Sequence, residues 1–237
     1  MGSTAPIAFA LDYASVDEAR SAARLVAPAI GMIKVGLELF VGAGPAVVAL
    51  GKDIGLPVFL DLKLHDIPET VERAVAQASG LGARLVTVHA SGGRTMLKRA
   101  VTRAASEGGS LAICAVTILT SLDAADVNDI GMSGDPRAAA VRLARLAFDE
   151  GVRWFVCSPA EVRALREALG KDAVLVTPGV RPAGGGAAAR GDQKRVATPE
   201  QAIADGANWV VVGRPIRDAA DPLAAARAIA QAIQGAR

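Results

Sequence analysis

Apolar residues in this chain come in short unbroken runs rather than in alternation with polar ones. Residues 7–11, 32–35, 58–60, 85–88, 111–116, 154–157, 173–176 and 209–212 are such runs, rich in Val, Ile and Leu. A strand with one wet face alternates, whereas an unbroken run suits a parallel strand covered on both faces. Between the runs lie stretches of helical period, rich in Ala, Leu, Arg and Glu, at residues 16–26, 70–79, 95–105, 138–149, 160–168 and 223–233. Several open with a residue able to accept a free helix N–H: Ser15 with Glu18 three on, Ser158-Pro159, Thr198-Pro199 with Glu200, and Asp221-Pro222. Eight strands alternating with helices predict an α/β fold of the (β/α)8, or TIM-barrel, type. The alternative is a doubly wound open sheet, but the first strand-to-helix turn lacks the glycine fingerprint of that fold. No linker or shift of composition interrupts the chain, so residues 1–237 are expected to form a single domain.

In such a barrel the C-terminal strand ends build the functional site. The residues there are Asp12, Lys34, the cluster Asp61-Leu62-Lys63-Leu64-His65-Asp66-Ile67-Pro68, His89, residues 117–121, Ser158, residues 177–181 and Gly213-Arg214. Charges that abut buried strands are costly unless paired. Asp12, Lys34, Asp61, Lys63 and Asp66 nearly balance if they converge. A salt-bridge ring plugging the barrel mouth would use the same residues, although apolar side chains make a plug more readily. If residues 61–66 stay extended, Asp61 and Lys63 face one side, because side chains alternate with period two. A lysine held between carboxylates there is a proton donor waiting for a carbanion.

Loops after strands seven and eight of a barrel often hold a phosphate through backbone N–H groups and a helix N-terminus. Gly213 allows close backbone approach, Arg214 offers a two-pronged guanidinium, and Pro178-Gly179-Val180-Arg181 adds a second arginine. Singly they fit a tight turn and a solvated arginine; together they point to an anionic, phosphorylated ligand. The connections 119–135 and 178–199 have the length of functional lids or disordered tips, the second carrying a Gly/Ala-rich stretch at 183–189. His65 is expected to face away from Lys63 as a packed or hydrogen-bonded structural histidine. His89 fits a pocket floor or a satisfied core position equally. Asp123, Asp126 and Asp129 fall short of a calcium-loop spacing and are expected to be solvated or capping residues.

Composition removes further classes. The formal net charge is only +2, aromatics are 3%, and the basic residues are scattered, so no nucleic-acid partner is expected. Cys114 and Cys157 lie in apolar runs and read as buried reduced thiols, without a disulfide framework or zinc-ligand spacing. No apolar stretch approaches 18 residues and no charged leader precedes an apolar core, which predicts a cytoplasmic protein with no membrane partner.

Taken together, these residues resemble the orotidine 5′-phosphate decarboxylase family, which catalyses the last step of pyrimidine nucleotide synthesis. The matching stretches are Ala10-Leu11-Asp12, Ile33-Lys34-Val35-Gly36, residues 61–68, Val88-His89-Ala90, residues 117–121, residues 177–181, Gly191-Asp192-Gln193 and residues 212–215. The combination of D-x-K-x-x-D-I-P with a lysine at position 34 is specific, while the short D-x-K-x-x-D element belongs to a wider superfamily. The resemblance implies a barrel that forms a homodimer, binds a small-molecule nucleotide, and uses no metal or organic cofactor. It implies Lys63 as proton donor, Asp61 as the carboxylate abutting the substrate carboxylate, and Asp66 as an aspartate reaching the neighbouring subunit's site. It further implies that Lys34 links the charged network to the ribose and that Asp12 binds a ribose hydroxyl. Thr70 and Thr120 become substrate contacts, the latter at the pyrimidine. Arg181, Gln193, Gly213 and Arg214 become the phosphate side, under a loop that closes after strand seven.

The chemistry implied is severe. Loss of carbon dioxide leaves an electron pair in the ring plane, where the ring carbonyls delocalise it poorly. Without an electron-sink cofactor, an ammonium beside the carbanion must stabilise it and then protonate it. A magnesium-dependent sugar-phosphate lyase, such as a keto-gulonate phosphate decarboxylase, shares the barrel and the short element but has an acidic residue where this chain has Lys34. A non-catalytic nucleotide-binding barrel would not need the complete charged set.

Overall fold

Eight parallel strands close into one barrel in the computed structural model, each hydrogen-bonded to the next in chain order and the last returning to the first. The structure describes residues 5–132, 135–182 and 197–236. The strands are β1 (Ile7–Ala10), β2 (Met32–Val35), β3 (Val58–Leu64), β4 (Leu85–His89), β5 (Ala112–Val116), β6 (Trp154–Val156), β7 (Val174–Thr177) and β8 (Trp209–Val212). Their bounds agree with the expected runs within a residue, except for β3, which continues four residues into the charged cluster.

Period-two alternation divides the strand residues between two cores. Ala8, Ala10, Met32, Phe59, Leu85, Cys114, Val176 and Val211 point inward and fill the barrel. Ile7, Phe9, Ile33, Leu60, Val86, Val88 and their counterparts point outward, against the helices. Both faces are therefore apolar, which explains the unbroken runs. Ser15, Thr198 and Asp221 each cap a helix by accepting the backbone N–H three residues on, from Glu18, Gln201 and Ala224. Asp123 caps Ala124–Asp129 and Asp126 returns a bond to the Asp123 N–H, so two of the three loop aspartates have a structural task.

At the end of the barrel away from the charged cluster, Arg166 ties three segments together. Its guanidinium donates to the carbonyls of Gly170 (2.7 Å), Ala173 (2.8 Å) and Gly206 (2.8 Å) and to Asn208 Oδ1 (2.7 Å). Asn208 Oδ1 also accepts the Leu175 N–H at 2.8 Å, joining the entries of β7 and β8. Cys114 and Cys157 are buried free thiols, and burial pushes the Cys157 pKa up to about 12. Among the described residues, no helix is long and apolar enough to cross a membrane.

Candidate active site

The inward positions of the first four strands turn polar at the C-terminal mouth. Two residues beyond Ala10, Met32, Phe59 and Leu85 stand Asp12, Lys34, Asp61 and Thr87. Their shared parity brings the charges together. Lys34 Nζ lies 3.3 Å from Asp12 Oδ1 and 3.7 Å from Asp61 Oδ2, and Lys63 Nζ lies 2.8 Å from Asp61 Oδ1. Asp12, Lys34, Asp61 and Lys63 thus form a line of alternating charge. The Lys34 and Asp61 side chains are only 11% and 14% exposed, so this line sits in a poorly solvated setting where Coulomb terms are large. Burial alone would raise the Asp61 pKa. The charges of Lys34 and Lys63, with hydrogen bonds from Lys63 and Thr87, outweigh it and hold the carboxyl below its ordinary 3.8.

Asp61 and Lys63 meet as expected, but not through extended backbone. Lys63 has φ of 52°, the left-handed region, and among the described residues it is the only non-glycine with positive φ. Pairing with β4 steps from Leu60↔Val86 to Leu64↔Val88, so three β3 residues oppose Thr87 alone. Such a conformation costs a side-chain-bearing residue roughly 1–2 kcal/mol and persists only where neighbours enforce it. Here the buried Thr87 hydroxyl accepts the Lys63 N–H at 2.8 Å and donates to Asp61 Oδ1 at 3.1 Å.

A cavity of about 600 Å³ opens over this line. Phe59, Val116, Val156 and Val211 form its apolar floor, and Asp12, Lys34, Asp61 and Lys63 one wall. Thr120 enters from the loop after β5, while Arg181, Gly213 and Arg214 line the side under β7 and β8. The bridge Val180↔Ala197 and the 2.9 Å bond from Arg181 N–H to the Ala197 carbonyl pin both ends of the long seventh connection at this rim. Gln193 lies outside the described residues, as does the 183–189 stretch.

Asp66 and Thr70 are not brought to the cavity. Both are exposed, and Asp66 Oδ1 accepts the Ile67 N–H at 2.7 Å where the helix Pro68–Gly80 begins. His65 follows the end of β3 and is exposed, with its ring packed against that of His89 at a centroid separation of 5.2 Å. His89 is half-buried and does not line the cavity; burial, with neighbouring His65 and Lys63, pushes its pKa below the ordinary 6.5. Among the described residues, no three or more His, Cys, Asp or Glu side chains are grouped to hold a metal ion.

Three residues of the site escaped the sequence reading. Thr87 is hidden inside an apolar run, and its signal is its place on the inward parity two before His89. Arg217 lines the cavity and donates to the Asp12 carbonyl at 3.0 Å; its spacing of three from Arg214 on the helix Arg214–Arg217 was the available clue. Glu38 also lines the cavity, and nothing in its local sequence marks it.

The profile of the orotidine 5′-phosphate decarboxylase / HUMPS family matches residues 5–229. The orotidine 5′-phosphate decarboxylase of Anaeromyxobacter sp. (strain K) is 56% identical over 227 residues, spanning 96% of this chain and 97% of that protein. That of Thermobifida fusca (strain YX) is 52% identical over 231 residues, spanning 97% of this chain and 96% of the relative. Among solved structures, orotidine 5′-phosphate decarboxylase from Lactobacillus acidophilus aligns with a TM-score of 0.82 at 36% identity, covering 97% of this chain and 99% of that one.

Proposed function

The chain belongs to the orotidine 5′-phosphate decarboxylase / HUMPS family, and on that premise we propose that Lys63 is the proton donor of its reaction. The chain catalyses the decarboxylation of orotidine 5′-phosphate in the synthesis of uridine 5′-phosphate. What carries the assignment of Lys63 is its ammonium, 2.8 Å from a buried carboxylate at one end of a cavity whose other side holds two arginines.

The phosphate is held by Arg181, Arg214 and the Gly213 backbone, with Gln193 completing the set. The ribose lies against Asp12 and Lys34, and Thr120 contacts the pyrimidine. This places the substrate carboxylate beside Asp61, where two like charges in a poorly solvated site raise the energy of the bound ground state. The C–C bond breaks, carbon dioxide leaves, and its electron pair stays on the ring carbon. Lys63 stabilises that pair and delivers its proton to it. A unit-charge pair at 4 Å is worth about 1 kcal/mol in water but about 4 kcal/mol at a partly buried site, while enzymes lower barriers by roughly 8–23 kcal/mol. Binding of the remote phosphate therefore has to be used to exclude water and order the site.

Asp66 belongs, in this reading, to the active site of a second copy. It is exposed and outside its own cavity, as is Thr70 one helical turn on. Leu37, Val41 and Ile67 are 51%, 79% and 67% exposed, and they follow β2 and β3, which are neighbours in the barrel. Exposed apolar side chains at one rim support burial in a homodimer. The free thiols support a cytoplasmic location. One barrel built from strands between Ile7 and Val212 supports a single catalytic domain.

Loss of ultraviolet absorbance from orotidine 5′-phosphate tests the donor assignment. Lys63→Ala should lower kcat by at least the roughly 10²–10⁴-fold typical of a lost general acid. A variant within tenfold of the parent would overturn it.

A further inference from the structure

Thr87 lies in the middle of β4, wholly buried, between inward-facing Leu85 and the rim residue His89. Its hydroxyl carries one proton, and its two partners leave no choice of direction. The Lys63 amide can only donate and the Asp61 carboxylate, as the anion, can only accept. The resulting ring closes on itself: Lys63 N–H to Thr87 Oγ1 (2.8 Å), Thr87 O–H to Asp61 Oδ1 (3.1 Å), and Lys63 Nζ to that same oxygen (2.8 Å). It spans the place where the β3–β4 register is interrupted and where Lys63 takes its left-handed backbone. One hydroxyl therefore fixes both ends of Lys63, its main chain directly and its ammonium through Asp61.

We propose that Thr87 is a positioning residue of the decarboxylation, its hydroxyl holding the turn at Lys63 to the Asp61 carboxylate so that the ammonium is aimed at the reacting ring carbon. This role rests on Lys63 being the proton donor. A threonine that merely filled space would be replaced without kinetic loss by valine, which keeps the branched shape and loses only the hydroxyl. A misaimed donor has another signature, because a displacement approaching 1 Å in reacting geometry costs up to about 10²-fold in rate while remote binding contacts stay in place.

The test compares Thr87→Val and Thr87→Ser with the parent by kcat, by affinity for uridine 5′-phosphate and by Tm. Valine should lower kcat about 10–100-fold with product affinity unchanged within about twofold, and serine should stay within about threefold of the parent. A valine variant as fast as the parent, a serine variant as slow as valine, or a loss confined to KM and product affinity would overturn the proposal. If the valine variant does not fold, Thr87→Ala takes its place, and serine must then exceed alanine at least about tenfold in kcat. Lys63→Ala, run alongside, separates the two readings. If it retains turnover, the donor assignment fails and this proposal with it; if it is inactive while Thr87→Val is as fast as the parent, only the role of Thr87 falls.

Discussion

A methyl group added at Gly36 would test how finely the charged line is placed. Gly36 follows β2 and has φ of −96°, a conformation open to alanine without strain. A Cβ built there falls 2.9 Å from Lys34 Nζ and 3.4 Å from Asp12 Oδ1, where ordinary contact begins near 3.4 Å. The ammonium must therefore retreat about 0.5 Å, and it cannot swing freely because its side chain is 11% exposed and held between Asp12 and Asp61. Lengthening its 3.7 Å separation from Asp61 by that amount weakens the attraction by about 0.5 kcal/mol at an effective dielectric near 20. Half an ångström of misplacement near the reacting atoms adds roughly another 1 kcal/mol. The expected outcome for Gly36→Ala is a fall in kcat/KM of about tenfold. Folding stability should stay within about 1 kcal/mol, since alanine suits this backbone and restricts the unfolded chain. Turnover of orotidine 5′-phosphate followed by absorbance, with a urea unfolding curve beside it, measures both. Unchanged kcat/KM in a folded variant would refute the reasoning, because Lys34 would then be free to move without consequence.

Three further outcomes are expected. The Asp61 pKa is lowered in the folded state, so its stabilising contribution is present above the unfolded value near 3.8 and disappears as pH falls through the lower folded value; the Tm gap between the parent and Asp61→Asn should accordingly narrow in acid, and a constant gap from pH 7 to pH 3 would count against it. Lys63→Ala and Asp66→Ala subunits, each inactive alone, should regain part of the parental activity when mixed, and no recovery after verified subunit exchange would argue against a shared site. Arg166→Ala strips a donor from three carbonyls and Asn208 far from the cavity, so the urea midpoint should drop by the equivalent of about 2 kcal/mol with kcat unchanged; a kcat loss of more than about threefold would refute that separation.

The barrel was legible because both faces of each strand are covered, which leaves unbroken apolar runs that no one-sided sheet would produce. The charged line was legible for the same reason of parity: Asp12, Lys34 and Asp61 stand one inward step beyond Ala10, Met32 and Phe59. The turn at Lys63 was not. Left-handed backbone is ordinarily announced by glycine or asparagine, whereas here a threonine 24 positions away enforces it on a lysine. The short helices Leu37–Ala43, Leu50–Ile54 and Arg214–Arg217 span too few turns to show a period, so Glu38 and Arg217 were not placed at the rim. Thr70 was expected at the substrate, yet it stands exposed on the helix that follows β3 and outside the cavity, because motif spacing carries no record of where a chain leaves its strand.

The charged wall of the cavity rises from the first three strands and the arginine side from the last two, with an apolar floor and the loop after β5 between them. Each half of the barrel has thus been given a separate occupation. On the proposed roles, substitutions in the later half would retune which phosphorylated molecule is admitted without disturbing the donor, and a descendant could inherit the proton-transfer apparatus intact while changing its diet. Such a layout makes the fold a chassis on which recognition and reactivity diverge independently.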